Sequence, residues 1–146
     1  MGDLSKDINS TFPNAHVKAL INIKYTANWL NNRGNTILKP HKISLQQYNI
    51  LRILKGAKSD ITVKTVRERM IEKSPNATRL MDKLCDKKLI ERFRCKEDRR
   101  IVFVKITNKG FQLLDHINID AFNNQMKTIT EAEAKTLNKL LDKIRT

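Results

Sequence analysis

Between residues 74 and 110, the spacing of the hydrophobic residues changes from a helical repeat to the alternation of strands. This change limits the folds that the chain can adopt. In the first part of the stretch, apolar residues recur at helical spacing: Ala77, Leu80, Met81, Leu84 and Cys85. This spacing predicts a helix with one buried face, capped by Ser74 and with Pro75 at its first position. Residues 90–95 and 101–106 then predict two short strands joined by a polar, basic tip. A helix followed by such a hairpin is typical of a winged helix.

Two shorter helices are predicted upstream of this stretch. Ser44 and Gln47 have the spacing of a capping box, in which each side chain satisfies a free backbone donor of the other residue. Thr62 caps the next helix, whose inward residues are expected to be Val63, Val66, Met70 and Ile71. A polar turn at 72–75 leads from there into the helix described above. The helix capped by Thr62 and the helix that begins near Ser74, joined by so short a turn, form a helix-turn-helix.

A long amphipathic helix is predicted before these elements. Residues 1–12 are expected to be a mobile lead-in, and Pro40 ends the helical segment. Apolar or small residues alternate steps of three and four along one face: Leu20, Ile23, Ala27, Leu30, Gly34 and Ile37. Such a stripe needs a surface to pack against. Gly34 is expected to be a weak point or a bend.

The C-terminal part predicts two further amphipathic helices. Thr107 caps the first, which carries Phe111, Leu114, Ile117, Ala121 and Phe122. A capping box, Thr130 to Glu133, opens the second, and its apolar residues are Leu137, Leu140, Leu141 and Ile144. Together with the N-terminal stripe, these helices offer more apolar surface than a small winged domain can cover. The sequence therefore favours a dimer, with packing onto the chain's own domain as the alternative.

Several short motifs of the central stretch occur together: Thr78-Arg79, Asp82, Leu84, Leu89-Ile90-Glu91-Arg92, Asp98-Arg99-Arg100 and Val104 to Gly110. They resemble the signature of the MarR family of bacterial transcription regulators. The resemblance implies a mainly α fold with a small β-hairpin, as a single domain over 1–146. Within it, a winged helix-turn-helix DNA-binding domain (44–106) joins N- and C-terminal dimerisation helices at 1–39 and 107–146.

One position departs from the family pattern. MarR proteins usually have glycine just before the wing, where this chain has Lys88. A left-handed helix stop is costlier for lysine than for glycine, so the joint between helix and wing is expected to differ in detail.

The helix that begins near Ser74 is expected to lie in the major groove of DNA with its N-terminal residues foremost. Asn76, Thr78 and Arg79 are placed to reach base edges, with local helix packing as the alternative for Thr78. Ser74 and the helix N-terminus are expected to hold a phosphate. Lys83 is a further candidate for a phosphate or base contact.

The wing resembles the minor-groove reader of the family. Arg99 or Arg100 would enter the groove, and the sequence does not distinguish between them. Asp98 is expected to fix the loop by an ion pair with a neighbouring arginine rather than to touch phosphate. Two such modules in a dimer would bind a pseudo-palindromic site with half-sites one helical turn apart.

The charge distribution agrees with a polyanionic partner. The net charge is +14, and residues 1–105 carry 23 basic against 10 acidic side chains, whereas residues 106–146 carry 6 against 5. The excess therefore belongs to the front three-quarters of the chain, which includes the winged part, and neutralising phosphates there would release counterions. A lysine-rich surface kept for solubility is the alternative explanation.

Other classes of function have little support. The three histidines, His16, His41 and His116, are scattered, and no metal-ligand spacing, phosphate loop or nucleophile motif occurs. The sequence predicts no enzyme, no cofactor and no metal. Cys85 is expected in the core, while Cys95 near the wing is a weak candidate for oxidation. No signal segment and no apolar run of membrane-spanning length occur, which predicts a protein without membrane contact. The two cysteines lack metal or redox spacing, which favours a reduced cytoplasm, and the resemblance implies that the cytoplasm is bacterial.

The sequence thus predicts a homodimeric repressor that binds double-stranded DNA. The alternative is a winged-helix module that binds protein or RNA without specific DNA readout. Many MarR proteins bind small aromatic acids, so a small aromatic or phenolic effector is a further hypothesis. The candidate residues for its pocket are His16, Trp29, Arg33, Tyr48 and Arg52, with ordinary core packing as the alternative for Trp29 and Tyr48.

Overall fold

The computed structural model describes residues 1–73 and 75–146, which form eight α-helices and three short β-strands. The helices are α1 (Leu4–Asp7), α2 (Ala15–Leu38), α3 (Leu45–Gly56), α4 (Val63–Arg69), α5 (Ala77–Asp86), α6 (Asn108–His116), α7 (Ile119–Asn123) and α8 (Glu131–Ile144). The strands are β1 (Ile61–Thr62), β2 (Ile90–Arg94) and β3 (Val102–Ile106). The mainly α fold with a hairpin after the central helices is confirmed.

The sheet has one strand more than the hairpin that the sequence predicts. Its order is β1-β3-β2 with antiparallel pairing throughout, and Phe93 lies opposite Phe103 in the β2–β3 pair. Strand β1 pairs Ile61 with Val104, which closes the other side of β3. Two residues are too short a run to show an alternating pattern, so periodicity could not reveal β1.

The helix starts that were predicted from side-chain caps are confirmed at four places. Ser44 and Gln47 form the full capping box of α3, and Thr130 and Glu133 form that of α8. Thr62 accepts from the backbone N–H of Thr65 at the start of α4. Thr107 accepts from Gly110 at the start of α6. Each contact lies within four residues along the chain, so the local sequence determines it.

The core lies where α3, α5 and the inner face of the sheet meet. Its most buried side chains are Leu38, Ile50, Leu51, Val66, Met81, Leu84, Ile90, Val104 and Leu114. The expectation that Ile71 points inward is wrong, because this side chain is 89% exposed. Helix α4 ends at Arg69, so Ile71 lies beyond the helical repeat that would have turned it inward.

Helix α2 runs through Gly34 without interruption, from Ala15 to Leu38. A Cβ at Gly34 would lie 2.7 Å from Cδ2 of Leu45, which means that the glycine permits close packing of α2 on α3. The N-terminal lead-in also has structure. Leu4 of α1 is buried, and Asp3 pairs with Lys18 at 3.0 Å. The pKa of Asp3 is lowered, mainly by the hydrogen bond from Lys18 and to a smaller extent by the hydrogen bond from the backbone N–H of Ser5.

The C-terminal helical pattern divides at residues 117–118, where Asn118 caps the short α7. Within the described residues, α8 makes no extensive contact with another helix or strand. Its apolar residues Leu137, Leu140 and Ile144 are exposed, as are Leu20 and Trp29 of α2. The apolar stripes at both ends of the chain are therefore left uncovered in the single chain. No helix of residues 1–73 and 75–146 is long and apolar enough to cross a membrane.

Candidate nucleic-acid interface

The start of α5 lies further along the chain than the sequence predicts. The first helical residue is Ala77, and the first backbone bond of the helix joins the N–H of Leu80 to the carbonyl of Asn76 at 3.0 Å. Pro75 therefore belongs to the preceding turn and not to the first helical position, because the backbone at Asn76 has not yet reached helical angles. The capping role expected for Ser74 falls on a residue outside the described ranges.

The outer face of α5 presents polar side chains to solvent. Thr78, Arg79 and Lys83 are all exposed, whereas Ala77 and Met81 face the core. Thr78 accepts a hydrogen bond from the guanidinium of Arg67 on α4, so this side chain is already held. In the described part of the chain, Arg79 and Lys83 have no ion pair. The face therefore offers two free cations beside an anchored hydroxyl.

An ion pair joins α5 to the wing. Arg92 of β2 donates to Asp82 of α5, with 2.5 Å between Nη2 and Oδ1. Burial, the largest single influence, lowers the pKa of Arg92, but the hydrogen bond with Asp82, the charge of Asp82 and the interactions with Cys85 together outweigh it, so the pKa is raised. The pair joins the inner half of the hairpin to the helix, so the two candidate DNA-reading elements lie beside each other.

Lys88 makes the turn between α5 and β2 in a left-handed conformation, although this conformation is costlier for lysine than for glycine. Its φ is 60°, and the N–H of Leu89 reaches back to the carbonyl of Leu84 at 3.0 Å. This is the bonding pattern of a helix stop that usually employs glycine. Thr107 also donates to the carbonyl of Lys88 at 2.7 Å. The joint is thus a left-handed helix stop in spite of the lysine.

The tip of the wing is held from inside by two of its own side chains. Asp98 accepts from the backbone N–H of Arg100 at 3.0 Å and from its Nε at 3.2 Å. Arg94 donates to the carbonyl of Arg99, also at 3.0 Å. The expected ion pair of Asp98 with a neighbouring arginine is present. Among the described residues, the guanidinium of Arg99 has neither a hydrogen bond nor an ion pair.

Three arginines of this surface were not among the residues predicted from the sequence. Arg67 holds Thr78, Arg92 holds Asp82, and Arg94 holds the backbone of the wing tip. The first two contacts join residues 11 and 10 positions apart on different elements. No local pattern marks such pairs. Arg94 was detectable in principle, because it ends the strand next to the polar tip.

The two cysteines lie on either side of this surface and are both half-buried. Cys85 packs against the core on the inner face of α5, as expected. The thiol of Cys95 donates to Glu97 at 3.0 Å, and this bond, together with a backbone bond, lowers the pKa of Glu97. Within the described ranges, no group of three or more potential ligands could hold a metal ion.

A second surface lies on the far side of α3. A cavity of about 380 Å³ is lined there by Asn31, Leu45, Gln46, Tyr48, Asn49, Arg52, Met70, Ile71, Glu72 and Phe122. The rings of Tyr48 and Phe122 stack at 5.0 Å. Of the five residues suggested for an effector pocket, Tyr48 and Arg52 line this cavity. His16, Trp29 and Arg33 do not line it. Trp29 is not a core residue either, because it is 43% exposed beneath the guanidinium of Arg33.

Comparison with known proteins identifies a family whose members resemble this chain. The family model described as transcriptional regulator SarA/Rot matches residues 34–117, which is more than half of the chain. YpoP of Bacillus subtilis, an uncharacterised HTH-type transcriptional regulator, is 33% identical over 120 residues that cover 79% of this chain and 82% of YpoP.

Solved structures agree with this assignment. A MarR mutant from E. coli, complexed with operator DNA, is 26% identical and superposes with a TM-score of 0.73 over 98% of this chain and 99% of its own. AbsC, a MarR family transcriptional regulator from Streptomyces coelicolor, has a TM-score of 0.81 over 93% of this chain and 96% of its own. At 15% identity, AbsC shows the shared fold alone.

These matches also bear on the class of function. The matching family and the relatives are transcriptional regulators, which confirms the prediction that the chain is not an enzyme. The chain belongs to the MarR family of winged helix-turn-helix transcriptional regulators, in the group that the SarA/Rot model describes.

Proposed function

We propose that this regulator is a homodimeric repressor that binds double-stranded DNA at specific sequences. The observation that carries the proposal is the solvent-facing polar side of α5, fixed beside a basic wing tip by the Asp82–Arg92 ion pair. A helix and a wing in a fixed relation can occupy a major groove and the adjacent minor groove together. The E. coli MarR mutant with the same fold was solved with operator DNA, which supports the same partner here.

In this proposal, the residues of α5 and its turn read the major groove. Asn76 and Arg79 contact base edges, since asparagine suits adenine and arginine suits guanine. Thr78 accepts a hydrogen bond from Arg67 and adds a contact to the DNA backbone or to a base. Lys83 neutralises phosphate, and Ser74 with the start of α5 holds another phosphate.

The wing supplies the minor-groove contact. Arg99 is the better candidate for insertion, because its guanidinium is unpaired within the described chain while that of Arg100 is paired with Asp98. Asp98 acts on the loop and does not touch DNA. A narrow, A·T-rich minor groove would attract the inserted cation most strongly.

The dimer follows from the uncovered apolar faces of α2 and α8. Leu140 is 55% exposed and Ile144 is 67% exposed in the single chain, although both lie on the apolar side of an amphipathic helix. A second copy presents the same faces, and a two-fold arrangement covers them without leaving an open end. Two α5 helices would then meet half-sites one turn of DNA apart. Occupying a promoter in this way blocks transcription.

The experiment measures binding to the DNA upstream of the protein's own gene and to scrambled DNA of equal length, across a salt series. Arg79→Ala is compared with Lys127→Ala, which removes one positive charge from an exposed position near the C-terminal helices. We expect Arg79→Ala to lower the preference for the specific site by roughly tenfold, because a bidentate base contact contributes about 1–3 kcal/mol of discrimination. Lys127→Ala should leave the preference unchanged.

The contrary outcome is also informative. Equal binding of the wild type to both DNAs, vanishing as salt rises, would contradict specific readout. The charge would then serve a winged-helix module that binds protein or RNA, and that alternative would replace the repressor.

A small aromatic acid is the ligand that best suits the cavity behind α3. The stacked pair Tyr48 and Phe122 offers an aromatic wall, and Arg52 offers a cation for a carboxylate. Benzoate can serve as the probe. We expect it to raise the melting temperature of the wild type and to have a smaller effect on Arg52→Gln. Equal shifts in both proteins would exclude this pocket as the binding site.

A further inference from the structure

The turn between α4 and α5 is tied to α3 by two side-chain hydrogen bonds. Asn49 accepts from the backbone N–H of Ile71, with 3.0 Å between the nitrogen and Oδ1. Gln46 donates through Nε2 to Oε2 of Glu72 at 2.8 Å. Because Gln46 and Asn49 are three residues apart on α3, both lie on the helix face that borders the turn.

Burial does little to fix this turn. Met70 before it is 3% exposed and Ala77 after it is 2% exposed, so the two ends are anchored in the core. Between them, Ile71 is 89% exposed, and Glu72 lies on the surface. A connection whose described residues, 71–73 and 75–76, are all exposed has many conformations of similar energy unless specific hydrogen bonds select one. The bonds from α3 provide such a selection.

We propose that Asn49 is a positioning residue for sequence readout, with Gln46 as its auxiliary. The inference rests on the proposed DNA-binding function, and it assigns a role to a side chain that does not touch DNA. By fixing Ile71, Asn49 sets the path of the chain into the first turn of α5. That turn carries the residues proposed to contact bases, where a displacement of about 1 Å is enough to misalign a hydrogen-bonding group.

The bond should affect specificity more than stability. Ile71 lies at the surface, so water can replace Asn49 as the acceptor when the side chain is changed. The free energy of folding then changes little, whereas the turn gains conformations in which α5 is misaligned. Binding to random DNA depends on charge and should not respond, because neither residue of the Asn49–Ile71 bond is charged.

The test compares Asn49→Leu with Asn49→Asp. Leucine has a similar size but no acceptor, while aspartate retains an oxygen at the position of Oδ1. We expect Asn49→Leu to lower the ratio of specific to scrambled-DNA affinity by about five- to tenfold, the range that corresponds to one hydrogen bond. Asn49→Asp should retain most of the wild-type ratio, because its added negative charge weakens binding to both DNAs alike. Asn31→Leu, on the α2 side of the same cavity, is the matched control and should leave the ratio unchanged.

Amide hydrogen exchange at Ile71 provides a readout that does not involve DNA. Protection is expected in the wild type and in Asn49→Asp, with faster exchange in Asn49→Leu. Equal exchange rates in all three proteins would show that Asn49 does not hold the backbone N–H of Ile71. Protection that follows this pattern while the affinity ratio stays constant would overturn the positioning role. Failure of the wild type to select any site would instead refute the proposed function, and the exchange data would still decide whether Asn49 orders the turn.

Discussion

Arg99 and Arg100 are neighbours in the chain, but different contacts hold them. The side chain of Arg100 is paired with Asp98, whereas Arg99 is anchored through its carbonyl and leaves its guanidinium unpaired within residues 1–73 and 75–146. A cation that is already paired gains less from entering a negative groove, because the existing pair must first be broken. The sequence shows two equivalent arginines, and only the folded tip distinguishes them.

Single substitutions should therefore have unequal effects. We expect Arg99→Ala to weaken binding to all DNA sequences and to reduce the slope of log affinity against log salt by about 1. Arg100→Ala should change the slope by less, since part of its charge is neutralised by Asp98. Fluorescence anisotropy across a salt series measures both slopes. A larger effect of Arg100→Ala would assign the insertion to the paired arginine and contradict this prediction.

Lys88 gives a second prediction at this scale. Its left-handed backbone costs roughly 1–2 kcal/mol for a residue with a side chain, and glycine would remove this cost while adding entropy to the unfolded chain. We expect Lys88→Gly to stabilise the protein by about 0.5–1 kcal/mol in thermal unfolding. Lys87→Gly is the control. Because Lys87 has helical backbone angles, the same change there should destabilise the fold by about 1 kcal/mol.

Among the secondary-structure elements, those with local determinants could be predicted and those without could not. The starts of α3, α4, α6 and α8 follow from capping side chains that act within four residues. Strand β1 depends on pairing with β3, about 40 residues later, and therefore has no local pattern. The contacts of Arg67 and Arg92 could not be predicted either, because each joins two separate elements. In the candidate site, the exposed residues of α5 were predictable from helical spacing, but the side chains that hold them were not.

The packing of α6 against the wing allows a prediction for an element. A Cβ at Gly110 would overlap the carbonyl oxygen of Leu89 and lie 2.5 Å from Cγ1 of Ile106. The Leu89 carbonyl also accepts from the N–H of Thr107, so it cannot move freely. We expect Gly110→Ala to destabilise the protein by about 1–3 kcal/mol, in spite of the better helix propensity of alanine.

Gly56 is the matched control for this change. It ends α3, and a Cβ there would meet no atom within 4 Å. Gly56→Ala should therefore be neutral or stabilising by up to about 1 kcal/mol. Urea unfolding measures both variants. If the two substitutions had equal effects, the close approach of α6 to Leu89 would not limit this position.

At the scale of the whole molecule, the positive charge is distributed unevenly along the chain. Residues 1–105 carry the positive excess, and residues 106–146 are nearly neutral. The exposed apolar residues of α8 lie in the neutral part, where like charges of a second copy would oppose association least. Of the two helices proposed for the dimer, α8 thus presents a weakly charged surface to the second copy, whereas α2 lies in the basic part of the chain. Sequence periodicity predicted both stripes, but only the folded chain shows that its own domain leaves them uncovered.

The uncovered apolar side of α8 predicts which single change breaks the dimer. Leu140→Glu places a charge on the apolar side of α8, whereas Asn138→Glu places the same charge two residues away and so on the opposite side of the helix. We expect Leu140→Glu to give a particle of 17.0 kDa by light scattering and Asn138→Glu to give twice that mass. The monomer should also lose specific DNA affinity, because one half-site supplies only one helix and one wing. Dimers in both variants would place the association elsewhere on the chain, and monomers in both would mean that α8 contributes more than one face to the contact.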